Sequence, residues 1–217
     1  MTIHNFENEN SILNRFLKQL RDTTIQKDSM RFRKNIERVG EIISYEISKT
    51  LPYKDEEITT PLGTKNVPVL ADEIVVCSIL RAGLPLHQGL LNYFDDAENG
   101  YISAFRKHEN GEDEFEVIVD YFAAPSLEGK ILVLADPMLA TGRTLENVLE
   151  GLKPHGTPKQ IHIASVIGSQ EGVDFVATKF PENTHLWIAA VDDELNSKGY
   201  IIPGLGDAGD LAYGSKL

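Results

Sequence analysis

The sequence predicts an α/β domain built on a mostly parallel sheet with helices against both faces. Two observations lead there. Four apolar runs, Ile74 to Leu80, Ile131 to Ala135, Ile161 to Ile167 and Leu186 to Val191, are continuous rather than alternating and rich in Val and Ile, as strands covered on both faces require. Between them lie helical patterns: Leu84 to Tyr93, then Leu145, Val148, Leu149 and Leu152, then Val173 to Phe180 ahead of Pro181. Strand and helix in alternation imply right-handed crossovers, and such sheets bind ligands at the carboxyl ends of their strands.

In chain order, Ser11 to Leu20 and Asp28 to about Lys49 read as helices packed outside the sheet. The second places Ile36, Val39, Ile43 and Ile47 at helical spacing, with Asp28 or Ser29 available as its N-cap. Pro52 to Pro68 reads as a polar, proline-containing connection. Tyr101 to Arg106 and Glu116 to Phe122 read as two further strands around the acidic, glycine-containing segment His108 to Glu114, a flexible, solvated hairpin tip given no chemistry.

The chain has 217 residues, 41% of them hydrophobic and 25% charged, with no repeat or low-complexity linker. Those values fit one domain over residues 1–217, with the helices of 11–50 packed on it. No apolar run approaches the ~20 residues a membrane span needs, and the opening MTIHNFENEN lacks a basic-then-apolar leader pattern. A cytoplasmic location without membrane contact is expected. The lone cysteine, Cys77, sits inside an apolar run, which suits a buried thiol in a reducing compartment. A net charge of −12 argues against a nucleic-acid partner, whose phosphates need Lys and Arg. It leaves room for a small anion held by a few local arginines, because screening limits distant carboxylates to about 8 Å at physiological salt.

The strongest chemical signal follows the run Ile131 to Ala135, which delivers the chain into Asp136-Pro-Met-Leu-Ala-Thr-Gly-Arg-Thr144 and directly onward into a helix. Asp136 stands at the strand end and Gly142 permits a positive φ or close backbone approach. The amides near Ala140 to Thr144, with the hydroxyls of Thr141 and Thr144, make an anion nest at a helix N-terminus. The bland alternative is a strand-to-helix turn in which Asp136 and Thr144 merely cap. It is not a Walker loop, having no G-x-x-x-x-G-K-[ST].

These nine residues resemble the signature that binds 5-phosphoribosyl 1-diphosphate (PRPP) in type I phosphoribosyltransferases, in the form found in uracil phosphoribosyltransferases. The resemblance implies that the turn, Asp136, Pro137, Met138, Leu139, Ala140, Thr141, Gly142, Arg143 and Thr144, binds PRPP. Within it, Ala140 to Thr144 hold the 5-phosphate and Asp136 the ribose hydroxyls. Pro137 stands where much of the superfamily has a second acid, which points to the uracil branch. The ending Thr-Gly-Arg-Thr departs from the branch's usual form at Arg143.

Near the C-terminus, Tyr200-Ile-Ile-Pro-Gly-Leu-Gly-Asp-Ala-Gly-Asp210 contains a literal G-x-G-x-x-G at Gly204, Gly206 and Gly209. A dinucleotide fingerprint needs a preceding strand, a following helix and an acid ~20 residues on, and only eight residues follow Gly209. The segment instead resembles the uracil-binding loop of the same family. That implies a small C-terminal uracil-binding hood over residues 200–210, in which main-chain groups of Ile201, Gly206 and Ala208 meet the uracil edge and Asp207 lies between base and PRPP. Ile79-Leu-Arg-Ala-Gly-Leu84 and Ala104-Phe-Arg-Lys107 resemble the family's pyrophosphate-side elements, and carry over Arg81 and Arg106. The likeness runs from Arg31 to the C-terminus.

The resemblance therefore implies a type I phosphoribosyltransferase fold and formation of UMP and diphosphate from uracil and PRPP. Asp136, Asp207 and Arg106 form the catalytic set. Magnesium comes with PRPP, without a metal held by protein ligands alone. The family also implies a homodimer or homotetramer and, in some members, activation by GTP. Two other readings compete: a pyrimidine-sensing RNA-binding regulator, which shares TGRT but needs a basic face, and a phosphoribosyltransferase for another base.

Overall fold

The structure is a computed structural model that describes residues 1–108 and 115–216, with side chains described everywhere except 104–108 and 115–120. The His108 to Glu114 hairpin tip of the sequence reading lies almost wholly outside the described residues. The elements are β1 (Thr2–Asn5), α1 (Leu13–Arg21), α2 (Ser29–Ser48), β2 (Tyr53–Thr60), β3 (Gly63–Leu70), β4 (Ile74–Leu80), α3 (Gly83–Leu91), β5 (Glu98–His108) and β6 (Phe115–Ala123). They continue with β7 (Ile131–Ala135), β8 (Met138–Leu139), α4 (Arg143–Leu152), β9 (Gln160–Ser169), α5 (Gln170–Lys179), β10 (Thr184–Asp192), β11 (Glu194–Leu195), β12 (Ile201–Ile202) and α6 (Ala208–Tyr213).

The main sheet runs β1-β10-β9-β7-β4-β5-β6, with β8 also on β9. Every pairing in it is parallel except β5 with β6. Successive residues of a strand point to opposite faces, so each continuous apolar run feeds two cores. Val76, Val133, Ala164 and Trp187 face the layer that includes α1, α2 and α3, whereas Val75, Cys77, Leu132, Leu134 and Ile163 face α4 and α5. The expected α/β class is found, and α2 buries Phe32, Ile36, Val39, Ile43 and Ile47 at helical spacing behind an Asp28 cap that accepts from the Arg31 amide at 3.1 Å. Cys77 is wholly buried, and that burial pushes its thiol pKa up to about 12, as the inert reading expects.

Two segments differ from the sequence reading. The polar N-terminus forms β1, which pairs in parallel with β10 at the sheet edge. An edge strand needs no apolar run, and His4 stacks on Trp187 with ring centroids 3.7 Å apart. The connection Pro52 to Pro68 is an antiparallel hairpin, β2 with β3, whose two-residue loop sits between Thr60 and Gly63. Almost all of it is exposed, so neither face imposes the alternation by which a strand is recognised.

Topology locates the site. From β4 the chain crosses through α3 to β5 on one side, while from β7 it crosses through α4 to β9 on the other. The strand order therefore reverses between adjacent β4 and β7, and the crevice at their carboxyl ends is where a ligand fits.

Candidate active site

The end of β7 runs into Asp136, which is 9% exposed and accepts the Met138 amide on Oδ1 at 3.2 Å. Pro137 is stitched to β9, whose Val166 and Ile167 amides donate to its carbonyl at 3.2 and 3.1 Å. Met138 and Leu139 then pair with β9 as β8. Gly142 is left-handed at φ 76°, and a Cβ there would come within 2.9 Å of Phe175 and Val176 on α5. Only glycine meets both demands. Gly142, the N-cap of α4, has no side chain with which to cap it, and the Thr141 hydroxyl accepts the Arg143 amide at 3.4 Å. The first turn of α4 presents its amides at the positively polarised end of the helix, as the anion nest requires. Arg143, at the position that departs from the family, turns its side chain to solvent.

Ser169 secures the turn from behind, a role the sequence reading missed. Its hydroxyl donates to the Ala140 carbonyl at 2.6 Å and accepts the Gly172 amide at 2.9 Å, capping α5. A serine ahead of a helix is a readable cap, but its second bond back to the turn is not.

On the β4 side, Arg81 follows a cis peptide at Leu80–Arg81. Its guanidinium donates to Asp210 at 3.0 Å and to the Gly214 carbonyl at 3.1 Å, which ties the β4–α3 turn to α6. Asp207 caps α6 by accepting the Asp210 amide at 2.9 Å, and Lys216 lies 3.4 Å from its other oxygen. The structure therefore brings Arg81, Asp207 and Asp210 together beside the end of β4. Arg106 lies in β5 opposite Val117, but its side chain is outside the described residues.

The hood consists of the antiparallel pair β11 with β12, a cis Ile202–Pro203 peptide and the glycine-containing turn to α6. Ile201, Leu205 and Ala208 are buried, while Gly206, at φ 92°, would place a Cβ only against Leu211, 3.8 Å away. The segment ends in a short helix, α6. The strand before the glycines has two residues and is antiparallel, unlike the strand of a dinucleotide fingerprint. From the helical layer, Arg33 donates to the Ala212 carbonyl at 2.6 Å and lies over the Tyr213 ring.

Comparison with known proteins gives the family. Residues 8–215 match the family model described as uracil phosphoribosyltransferase. A uracil phosphoribosyltransferase of Porphyromonas gingivalis is 51% identical over 209 residues, covering 96% of each chain. One of Methanothermobacter thermautotrophicus is 42% identical over 189 residues, covering 86% of this chain and 85% of its own. Among solved structures, the AQ2163 protein of Aquifex aeolicus superposes with a TM-score of 0.86 at 34% identity, covering 97% of this chain and 98% of its own. The match spans both the strand-to-helix turn and the hood, and the chain belongs to the uracil phosphoribosyltransferase family.

Proposed function

We propose that this chain transfers the 5-phosphoribosyl group of PRPP to N1 of uracil, with the turn 136–144 holding the 5-phosphate and ribose and the hood reading the base. The observation that supports this division most is the N-terminus of α4 behind left-handed Gly142, at the topological switch point between β4 and β7.

In the reaction the N1–C1 bond forms, the bond from C1 to the diphosphate oxygen breaks with its electron pair on diphosphate, and the N1 proton is released. The ribose passes through oxocarbenium character without covalent attack by the protein, so catalysis is positioning and electrostatics. Asp136 orients the ribose hydroxyls. Arg81 and Arg106 meet the departing charge, and Asp207 sits between the two substrates. Main-chain groups of Ile201, Gly206 and Ala208 complement O2, N3–H and O4 of uracil. Cytosine reverses that pattern at N3 and position 4, and a hydrogen-bonded site can reject such an analogue by ~10⁴ or more.

Magnesium fits these residues as a cation arriving on its substrate. The turn offers a hard carboxylate, Asp136, and among the described residues no group of three or more His, Cys, Asp or Glu is placed to hold a metal. When bound, it supplies charge neutralisation on the diphosphate.

The reading includes a homodimer or homotetramer. The β2–β3 hairpin supports it, since a two-stranded hairpin is marginal by itself and this one leaves Tyr53, Ile58 and Leu62 exposed, Leu62 at 99%. A second copy would cover them. The buried lone cysteine suits a reducing, cytoplasmic setting. GTP activation rests on the family resemblance alone. A GTP titration of turnover, with light scattering, tests activation and assembly. The decisive assay for the reaction supplies uracil, cytosine, hypoxanthine, adenine and xanthine with PRPP. Turnover with uracil alone is the expected result, and equal or faster turnover with another base would contradict the proposal.

A further inference from the structure

Asp192 ends β10 and is 7% exposed, yet it carries a carboxylate into the base of the hood. Arg21, the last residue of α1, donates to both of its oxygens, at 2.7 and 2.9 Å. The pair is bidentate, the geometry that fixes orientation as well as charge. Each partner also reaches the same glycine. Asp192 accepts the Gly204 amide at 3.0 Å, and Arg21 donates to the Gly204 carbonyl at 3.0 Å.

Gly204 is left-handed at φ 58°, and a Cβ there would collide with the Ile201 carbonyl. Its conformation turns the chain from Ile201 toward Gly206, so an ion pair that holds both of its peptide groups sets the direction of the loop. A third contact repeats the arrangement one residue on: the Gln26 amide group donates to the Leu20 carbonyl at 2.7 Å and to the Leu205 carbonyl at 3.1 Å. The end of α1 and the turn after it thus clamp two consecutive residues of the hood.

We propose that Arg21 and Asp192 are positioning residues for base recognition: their ion pair fixes Gly204 and so holds the main chain of Ile201 to Ala208 in the shape that reads the base. The inference rests on the assignment of the hood to uracil. It concerns residues whose side chains meet each other and Gly204, and it separates base recognition from PRPP recognition. The 136–144 turn is anchored instead by β9 and α5, so loosening the latch leaves it in place.

The test uses the full-length enzyme with Arg21→Gln, Asp192→Asn and the double variant, which leaves no unpaired buried carboxylate if a single variant folds poorly. Loss of a charge-assisted hydrogen-bond pair of this kind predicts a rise of at least about tenfold in the uracil KM. PRPP affinity by calorimetry should fall by clearly less than the uracil KM rises, because the turn keeps its own bonds to β9 and α5 while Asp207 moves with the loop. Arg21→Lys, which keeps the charge but loses the fork, should fall between. Gly206→Val serves as reference in the same assay. If it raises the uracil KM while the latch variants leave theirs unchanged, the positioning role is wrong. Equal losses for uracil and PRPP in the latch variants would make the pair a general support of the fold and overturn it as well. If Gly206→Val itself keeps a normal uracil KM, the hood reading fails and the latch proposal falls with it.

Discussion

The phosphate turn and the hood are both short, glycine-containing backbone segments, but they are held by opposite means. The turn is built into the packed interior. Its carbonyls meet β9 and Ser169, and Gly142 and Gly172 let α5 approach so closely that a Cβ on Gly172 would collide with the Ala140 carbonyl. The hood has buried apolar residues, yet its position against the rest of the chain is set by polar contacts from distant elements: Arg21 with Asp192 and Gly204, Gln26 with Leu205, Arg33 with Ala212 and Arg81 with Asp210. A phosphoribosyl group is common to a whole class of reactions, whereas the base distinguishes them. On the proposed assignment, rigid packing under the first and polar ties under the second would allow base recognition to be adjusted with little disturbance of the turn.

The contrast yields graded predictions. The largest effect should come from Asp136→Asn, which keeps the shape of the turn and removes the charge that the proposed function assigns to the ribose. Turnover should fall on the order of 100-fold or more, with unchanged circular dichroism. A normal rate with a normal spectrum would remove Asp136 from the site.

Gly172→Ala should be next, because one methyl group must push α5 away from the turn. Overpacking predicts roughly 1–3 kcal/mol of lost stability in denaturant unfolding, with PRPP binding weakened more than uracil recognition. Unchanged stability would show that packing does not fix the turn. Arg81→Ala should weaken PRPP and pyrophosphate binding by roughly 1.5–3 kcal/mol, the range for hydrogen bonds to charged groups, and uracil binding less. Calorimetry with each ligand decides, and equal losses would assign Arg81 to the support of α6 rather than to diphosphate.

The effect with the least bearing on either substrate should lie away from both regions, at the sheet edge. Burial first, then the neighbouring His185 and His4, lower the His162 pKa to about 3. Burial and His185 also lower that of His4, against a raising contribution from Glu46, and burial and the N-terminal ammonium lower that of His185. Trp187 donates to His162 Nδ1 at 2.9 Å, so the ring proton sits on Nε2, a buried atom without a hydrogen-bond partner among the described residues. With folded pKa values below the unfolded value, the folded state binds fewer protons. The stability linked to these rings is complete above about pH 6.5 and lost as pH falls toward the folded values. Thermal unfolding between pH 7 and 4 should show that decline, and His162→Leu should flatten it despite leaving Trp187 Nε1 unpaired. An unchanged slope would mean that other groups govern acid stability.

Much of this arrangement was legible in the sequence, for reasons that differ between regions. The turn could be read because strand, loop and helix are contiguous and each carries its own pattern, from the apolar run Ile131 to Ala135 through Gly142 to the spacing of Leu145, Val148 and Leu152. The hood was legible as a motif, but its supports were not, since Arg21 and Asp192 are 171 positions apart and an arginine ending a helix is ordinary helix chemistry. β1 escaped notice because its partner strand and the ring that stacks on His4 come from the far end of the chain. The β2–β3 hairpin did so because its residues bury no face.

The claim that the two regions recognise different halves of the reaction is tested most directly by PRPP calorimetry and uracil turnover on Gly206→Val. At φ 92° a β-branched side chain is strained and must shift the loop, while the turn at Asp136 to Thr144 stays on its own supports. The account predicts loss of uracil turnover with a much smaller loss of PRPP affinity, the part carried by Asp207 and Arg81 at the hood. Normal uracil turnover, or a loss of PRPP affinity as deep as the loss of turnover, would contradict it.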